Sequence, residues 1–344
     1  MSLLFPSRVI TVDAALRDLT GGSHKARVAA AQALGDVAAE DRARVLPALC
    51  AALDDDLAAV RAEAAASLGE VAAGEDDAAP DATAVTGLVR RLDDGHPAVR
   101  QAAAIALGTL RATAGFAPLC QALREGGPDL RFQAASSLVE IDPLAAFGPL
   151  SAAVDDADAQ VVGAVALGLG ATGDARAPGL IARLLDHGDA GVRFDAAYAL
   201  AQCDSRRGVD ALVAALTDGA RDWDAVLALE RLGPEIGAPA IAAVAELVGK
   251  KAASPEVQTR AAAAVLALDP DGAHAARARA HLVAALDHRR DTVRGIAVDE
   301  LARVGGEWAR SPLAALARRR RGRDLADAIA EADAAIRART QEST

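Results

Sequence analysis

Apolar and small residues recur along this chain in a single repeated phrase. An anchor, most often Val-Arg, is followed three to six places later by a run of small residues, then by Leu at seven places and an apolar residue at ten. The copies read Ala26-Arg27 to Leu34-Gly35, Val60-Arg61 to Leu68-Gly69, Val99-Arg100 to Leu107-Gly108 and Leu130-Arg131 to Leu138. They continue with anchors at positions 162, 193, 225, 258 and 294, giving nine copies spaced 31 to 39 residues apart. Positions three, seven and ten share one face of a helix. Alanine, which dominates the small run, is the strongest helix former and lets neighbouring helices approach closely. One amphipathic helix per copy follows.

A second apolar stripe precedes each anchor, as in Leu46/Leu49/Leu53, Leu88/Val89/Leu92, Leu119/Leu123, Ile181/Leu184/Leu185, Leu212/Leu216, Ile241/Val244/Leu247 and Leu282/Leu286. The turns between the two stripes hold Asp, Gly, Ser and Pro, for example Asp93-Asp94-Gly95-His96-Pro97 and Ser254-Pro255-Glu256. Asp or Ser caps a helix there, and Pro fits its first position. Each copy is therefore a helix hairpin. A period near 32 residues predicts that the hairpins stack into a solenoid.

The phrase resembles the HEAT-repeat family in its short bacterial form, the PBS-lyase-like HEAT repeat, and Val99 through Gly108 and Val60 through Gly69 match it nearly throughout. The resemblance covers residues 10–305 and implies a right-handed, all-α solenoid, a HEAT-like superhelix. It also implies that the anchor arginines are structural, reaching acidic residues in the turns of their own and adjacent repeats. Positions 162, 225 and 258 carry Val, Ala and Gln instead. Residues 311–321 and 324–339 read as a tenth pair without the phrase, capping the stack, so that 1–344 forms one domain.

Composition agrees with a linear core: 52% of residues are hydrophobic but only 2% aromatic. The start of the chain has too short an apolar run for a secretory signal, and no stretch is long enough to span a membrane. A cytoplasmic protein with Cys50, Cys120 and Cys203 reduced is expected. The one acidic insertion, residues 74–81, accounts for the longest spacing.

Chemistry is sparsely signalled. None of the six His residues is followed by Glu, which removes the His-Glu pairs that metal hydroxylases of this fold use as ligands. His274, His281 and His288 recur every seven residues but have no carboxylate arranged to complete a site. No cofactor is expected. Residues 274–323 hold twelve Arg and only five Asp or Glu in a chain of net charge −11. The run Arg318, Arg319, Arg320, Arg321 with Arg323 reads either as a solvated helix end or as a patch for an anionic partner. Over most of the chain no basic groove supports nucleic-acid binding.

The positions left free by the packing pattern are one and five places after the anchor, which share a side of the helix. In the middle copies they become Gln101/Ile105, Phe132/Ser136, Gly163/Leu167 and Phe194/Tyr198, with Trp223 before the next anchor and Gln133 and Asp195 at the rim. These residues read either as a groove for a peptide or helix of a partner protein, or as rings filling gaps in a curved stack. The expected function is a non-catalytic scaffold or adaptor binding a partner segment along its concave face. Two alternatives stand beside it: a bilin lyase or pigment-handling factor, implied only by the family's name, and a DNA-glycosylase-like protein, which the acidic body opposes.

Overall fold

The computed structural model describes residues 10–73, 79–217 and 219–342. The chain start read above for a secretory signal (residues 1–9) and residues 74–78 of the acidic insertion lie outside that set. The protein is an all-α solenoid, 77% helical, with no strand among the described residues. The chain packs as two compact units, Met1–Leu180 and Ile181–Thr344.

The first unit is a series of five hairpins: α1 (Val12–Gly21) with α2 (His24–Gly35), α3 (Ala39–Ala52) with α4 (Ala58–Val71), α5 (Ala82–Arg91) with α6 (Pro97–Thr109), α7 (Phe116–Glu125) with α8 (Pro128–Ile141), and α9 (Pro143–Ala152) with α10 (Ala159–Ala171). Local signals start the helices. Ser23, Asp81, Asp142 and Asp158 accept backbone N–H groups as N-caps, satisfying donors that would otherwise be left without partners. Pro97, Pro128 and Pro143 open theirs.

The anchored helices α2, α4, α6, α8 and α10 lie side by side and bury their small residues and the Leu seven places after the anchor: Leu34, Leu68, Leu107, Leu138 and Leu169 are fully enclosed. In four of these five repeats the next residue is glycine, Val139 being the exception, and at Gly35, Gly69 and Gly108 the glycine lies close against the next repeat. A β-carbon on Gly69 would lie 3.3 Å from the Cα of Ala106, and one on Gly108 would lie 3.0 Å from the Cα of Ser137. The Leu-Gly ending of the phrase thus encodes a packing layer, Leu toward the hairpin partner and Gly toward the next repeat.

Helix α11 (Ala177–Ile181) leads into the second unit. The outer helix expected around Ile181, Leu184 and Leu185 is reduced to this five-residue helix and a 3-10 segment, Ala182–Asp186. Gly179, in the middle of this helix, disfavours a helix interior. The unit continues with α12 (Ala190–Gln202), α13 (Val209–Ala215), α14 (Asp222–Arg231), α15 (Ala238–Leu247), α16 (Pro255–Leu268), α17 (Ala275–Ala285), α18 (Asp291–Val304), α19 (Glu307–Ala317) and α20 (Ala326–Glu342). Here α12, α14, α16, α18 and α20 are the stacked inner helices.

The last pair starts earlier than the sequence suggests. Gly306 precedes α19, and the arginine run falls in the turn after it, with a 3-10 segment at Arg320–Leu325, rather than on a helix end. Gly322 allows this turn: a β-carbon there would lie 2.2 Å from the carbonyl oxygen of Leu316. Ile329, Ala332 and Ile336 of α20 are buried in the core of this unit.

Candidate functional site

The anchor arginines close the turns. Arg61 donates from Nη1 to the carbonyl of Asp55 (2.9 Å) in its own turn and from Nε and Nη2 to the two carboxylate oxygens of Asp94 (2.8 Å each) in the next. Arg131 repeats the arrangement with Gly126 O (2.9 Å) and Asp156 (2.8 and 2.7 Å). The parallel bonds from Arg61 hold the Asp94 carboxyl down at about 2, despite the opposing effect of its burial. Gln258 substitutes fully at the turn: its Nε2 donates to the carbonyls of Lys250 (3.1 Å) and Ala253 (2.9 Å), and its Oε1 accepts from the N–H of Gly249 (3.0 Å). These side chains are consumed by the scaffold.

The positions one and five places after the anchor point away from the hairpin core, and in the first unit they carry the free apolar surface. Ile105 on α6 is 45% exposed and Phe132 on the adjacent α8 is 40% exposed. Leu167 on α10 and Gln133 on α8 are half-buried. Gly163 is buried. Acids rim this face: Glu70 and Glu140 are exposed and Glu63 is half-buried, with the Glu140 carboxylate lying over Gly108 of α6. Leu144, at the start of α9, is 72% exposed and stands apart from this register.

The second unit differs. The exposure expected for Phe194 is not found: the ring is only 8% exposed and belongs to the hydrophobic core. The Arg221 guanidinium covers it, 4.9 Å from the ring centroid, and the Tyr198 ring lies 6.2 Å away at 30°. Tyr198 and Trp223 are half-buried and pack against the same core. Asp195 is half-buried beside them, and burial pushes its carboxyl above the ordinary range while Arg221 opposes the rise. In this unit the aromatic residues fill space, so the sequence-predicted strip survives as open surface only at Ile105 and Phe132, with Leu167 and Gln133 beside them.

Family models for repeats of this kind match the chain over the same hairpins. A model described as HEAT repeats matches residues 85–167 and 148–232, and one described as HEAT-like repeat matches residues 58–110. The chain belongs to the HEAT-repeat family. No curated protein matches the sequence. Among solved structures, the chain is similar to the Escherichia coli protein YibA, with 18% identity over 74% of this chain and 91% of that one and a TM-score of 0.49. It is similar to an engineered protein, with 20% identity over 95% and 98% of the two chains and a TM-score of 0.42. It is also similar to the CpcE–CpcF complex of phycocyanin lyase from a Nostoc species, with 24% identity over 82% and 98% and a TM-score of 0.40.

One feature of the HEAT stack escaped the sequence reading. In the second unit an ion network links the inner helices α14, α16 and α18. Arg260 on α16 donates to Glu300 of α18 (2.7 Å) and to Glu230 of α14, and Arg303 of α18 donates to Glu300 (2.9 and 2.7 Å) and to Glu230. Arg260 and Glu300 are 8% and 9% exposed, and Thr259 and Ala263 are fully buried. Two acids and two arginines balance their charge across three HEAT repeats, which lets burial occur without an unpaired ion. The signal available in sequence is the isolated Arg260 inside an otherwise small and apolar run.

Elsewhere the candidate chemistry stays dispersed. Arg318, Arg319, Arg320, Arg321 and Arg323 are exposed, and Arg319 pairs with Asp287 at the neighbouring turn. His281 is half-buried and its imidazole is pushed down by burial, while His288 accepts the N–H of Arg290. Burial pushes the thiols of Cys50, Cys120 and Cys203 up. Among the described residues no cluster of three His, Cys, Asp or Glu is arranged to hold a metal, and no helix is long and apolar enough to cross a membrane.

Proposed function

We propose that this HEAT-repeat protein is a non-catalytic scaffold that holds a segment of a partner protein against the outward face of α4, α6, α8 and α10. The observation that carries the reading is the pair Ile105 and Phe132. Two large apolar side chains stand exposed on adjacent anchored helices, at positions where neighbouring repeats place small or polar residues. Exposed aromatic and aliphatic anchors rimmed by polar groups are what partner surfaces are built from. The rim acids Glu63, Glu70 and Glu140 suit a segment that carries Lys or Arg beside its apolar residues.

The test is site-specific photo-crosslinking in the native cell. A photoreactive residue replaces Ile105 in one experiment and Arg90, exposed on the outer helix α5, in another. A discrete adduct from position 105 that disappears when Phe132→Ser is added, and that position 90 does not give, supports the reading. Identical adducts from both positions, or an adduct indifferent to Phe132→Ser, would sink it.

A further inference from the structure

Three anchor arginines of the first unit grip a carboxylate. Arg61 takes Asp94 and Arg131 takes Asp156 through Nε and Nη2, and Arg27 takes Asp55 and Asp56 through its two Nη atoms. Asp55, Asp94 and Asp156 occupy one register, three residues before an anchored helix. Each also accepts the N–H two residues further on, from Leu57, His96 and Asp158. The short Asp side chain is thereby held inside the turn.

Arg100 breaks the pattern. Its Nη1 donates to the carbonyl of Asp94 (2.8 Å) as the register requires, but no carboxylate pairs with it among the described residues. The residue in the Asp register is Glu125, the last residue of α7. Its longer side chain is exposed and takes the amide of Gln121 (3.0 Å), while Gly126 continues the helix hydrogen bonding to Ala122 O (2.9 Å). Where the other turns place an Asp, Arg100 lines a cavity of about 710 Å³ whose apolar walls come from Val89, Leu92, Pro118, Ala122 and Leu130.

We propose that Arg100 is the receptor for a ligand carboxylate that takes the place of the missing Asp. The guanidinium edge that is bidentate in Arg61 and Arg131 is the recognition element. The lining is mixed, and its apolar side chains leave room for a small aliphatic group beside the carboxylate. Asp93, Asp94 and Glu125 also line the cavity, and their repulsion grows with the charge of the ligand, so a monocarboxylate is favoured over a doubly charged anion such as phosphate. A peptide ending in an aliphatic residue and a free branched-chain acid share this chemistry. The site lies at the turn edge of the repeat and stands independently of the partner surface at Ile105 and Phe132.

The probes are a pentapeptide ending in leucine with a free carboxylate, the same peptide amidated, and isovalerate, titrated into the full-length protein while amide signals of Gly126 and Gly127 are followed by NMR. Saturable shifts are expected from a carboxylate probe, with the amidated peptide at least about tenfold weaker. Tighter binding of the peptide than of isovalerate identifies a chain terminus as the ligand; equal binding identifies a small acid. Arg100→Gln should lose at least about tenfold in affinity with its thermal midpoint close to wild type, because Gln258 shows that glutamine can hold such a turn. Equal binding of acid and amide, equal binding by wild type and Arg100→Gln, or no shift from either carboxylate at millimolar concentration would overturn the assignment.

Discussion

The Arg61 guanidinium closes on Asp94, 33 residues further along the chain, through two parallel hydrogen bonds of 2.8 Å. This pair joins one repeat to the next where the backbone is least regular. It also ties stability to pH. The Asp94 carboxyl lies at about 2 in the folded chain against an ordinary 3.8, so its contribution is complete above about pH 4 and is lost as pH falls toward 2. The shift corresponds to on the order of 2 kcal/mol. Thermal melts of wild type and Asp94→Asn should differ at pH 7, and the gap should shrink between pH 4 and pH 2. A gap of constant size across that range would mean that ionisation of Asp94 is not its source.

Phe132 and Phe194 occupy the same register but opposite environments, and substitution should separate them. Phe194→Ala removes a core ring and should cost about 3–5 kcal/mol. Phe132→Ser should change stability by less than about 0.5 kcal/mol, as exposed substitutions do. Chemical denaturation of the two variants reads both numbers. Equal losses would remove the distinction between filler and surface.

The ion network of the second unit should be unforgiving of partial removal. Arg260→Met leaves Glu230 and Glu300 buried with less compensation and should destabilise by about 3–5 kcal/mol. Adding Glu230→Gln and Glu300→Gln should recover part of that loss, because the penalty comes from uncompensated charge. A triple variant no more stable than Arg260→Met alone would contradict this account.

Arg111 and Asp204 each sit eleven places after an anchor with positive φ, 47° and 54°, where Gly173 in the same register has 71°. A side chain is strained in that conformation. Arg111→Gly should raise the unfolding free energy by about 1 kcal/mol, measured by urea denaturation. A lower midpoint would show that the arginine makes contacts outweighing its strain.

The hairpin scaffold was legible in sequence because each level of the pattern agreed with the next: the Leu and Ala faces, the Asp and Pro starts, and the anchor that closes the turn. The use of glycine was not legible, since Gly69 and Gly108 are explained by the backbone of the following repeat rather than by anything local. The candidate surface was half legible. Positions one and five identified the outward face, but periodicity carries no information on what lies above a residue, and Arg221 lies over Phe194. Arg260 escaped because its partners are 30 and 40 residues away. The one local sign of the shortening around α11 was Gly179, and the apolar stripe at Ile181 masked it.

Gln258 has a consequence for how such chains diversify. It satisfies the same kind of turn carbonyls as Arg61 and Arg131 with a neutral amide, so the turn requires donors and not a positive charge. Drift between arginine and glutamine at the anchor therefore releases or removes an Asp partner in the following turn without disturbing the hairpin. Repeat by repeat, the electrostatic character of the turn row can be rewritten while the architecture stays fixed, and a vacated partner position becomes a starting point for recognising something outside the chain.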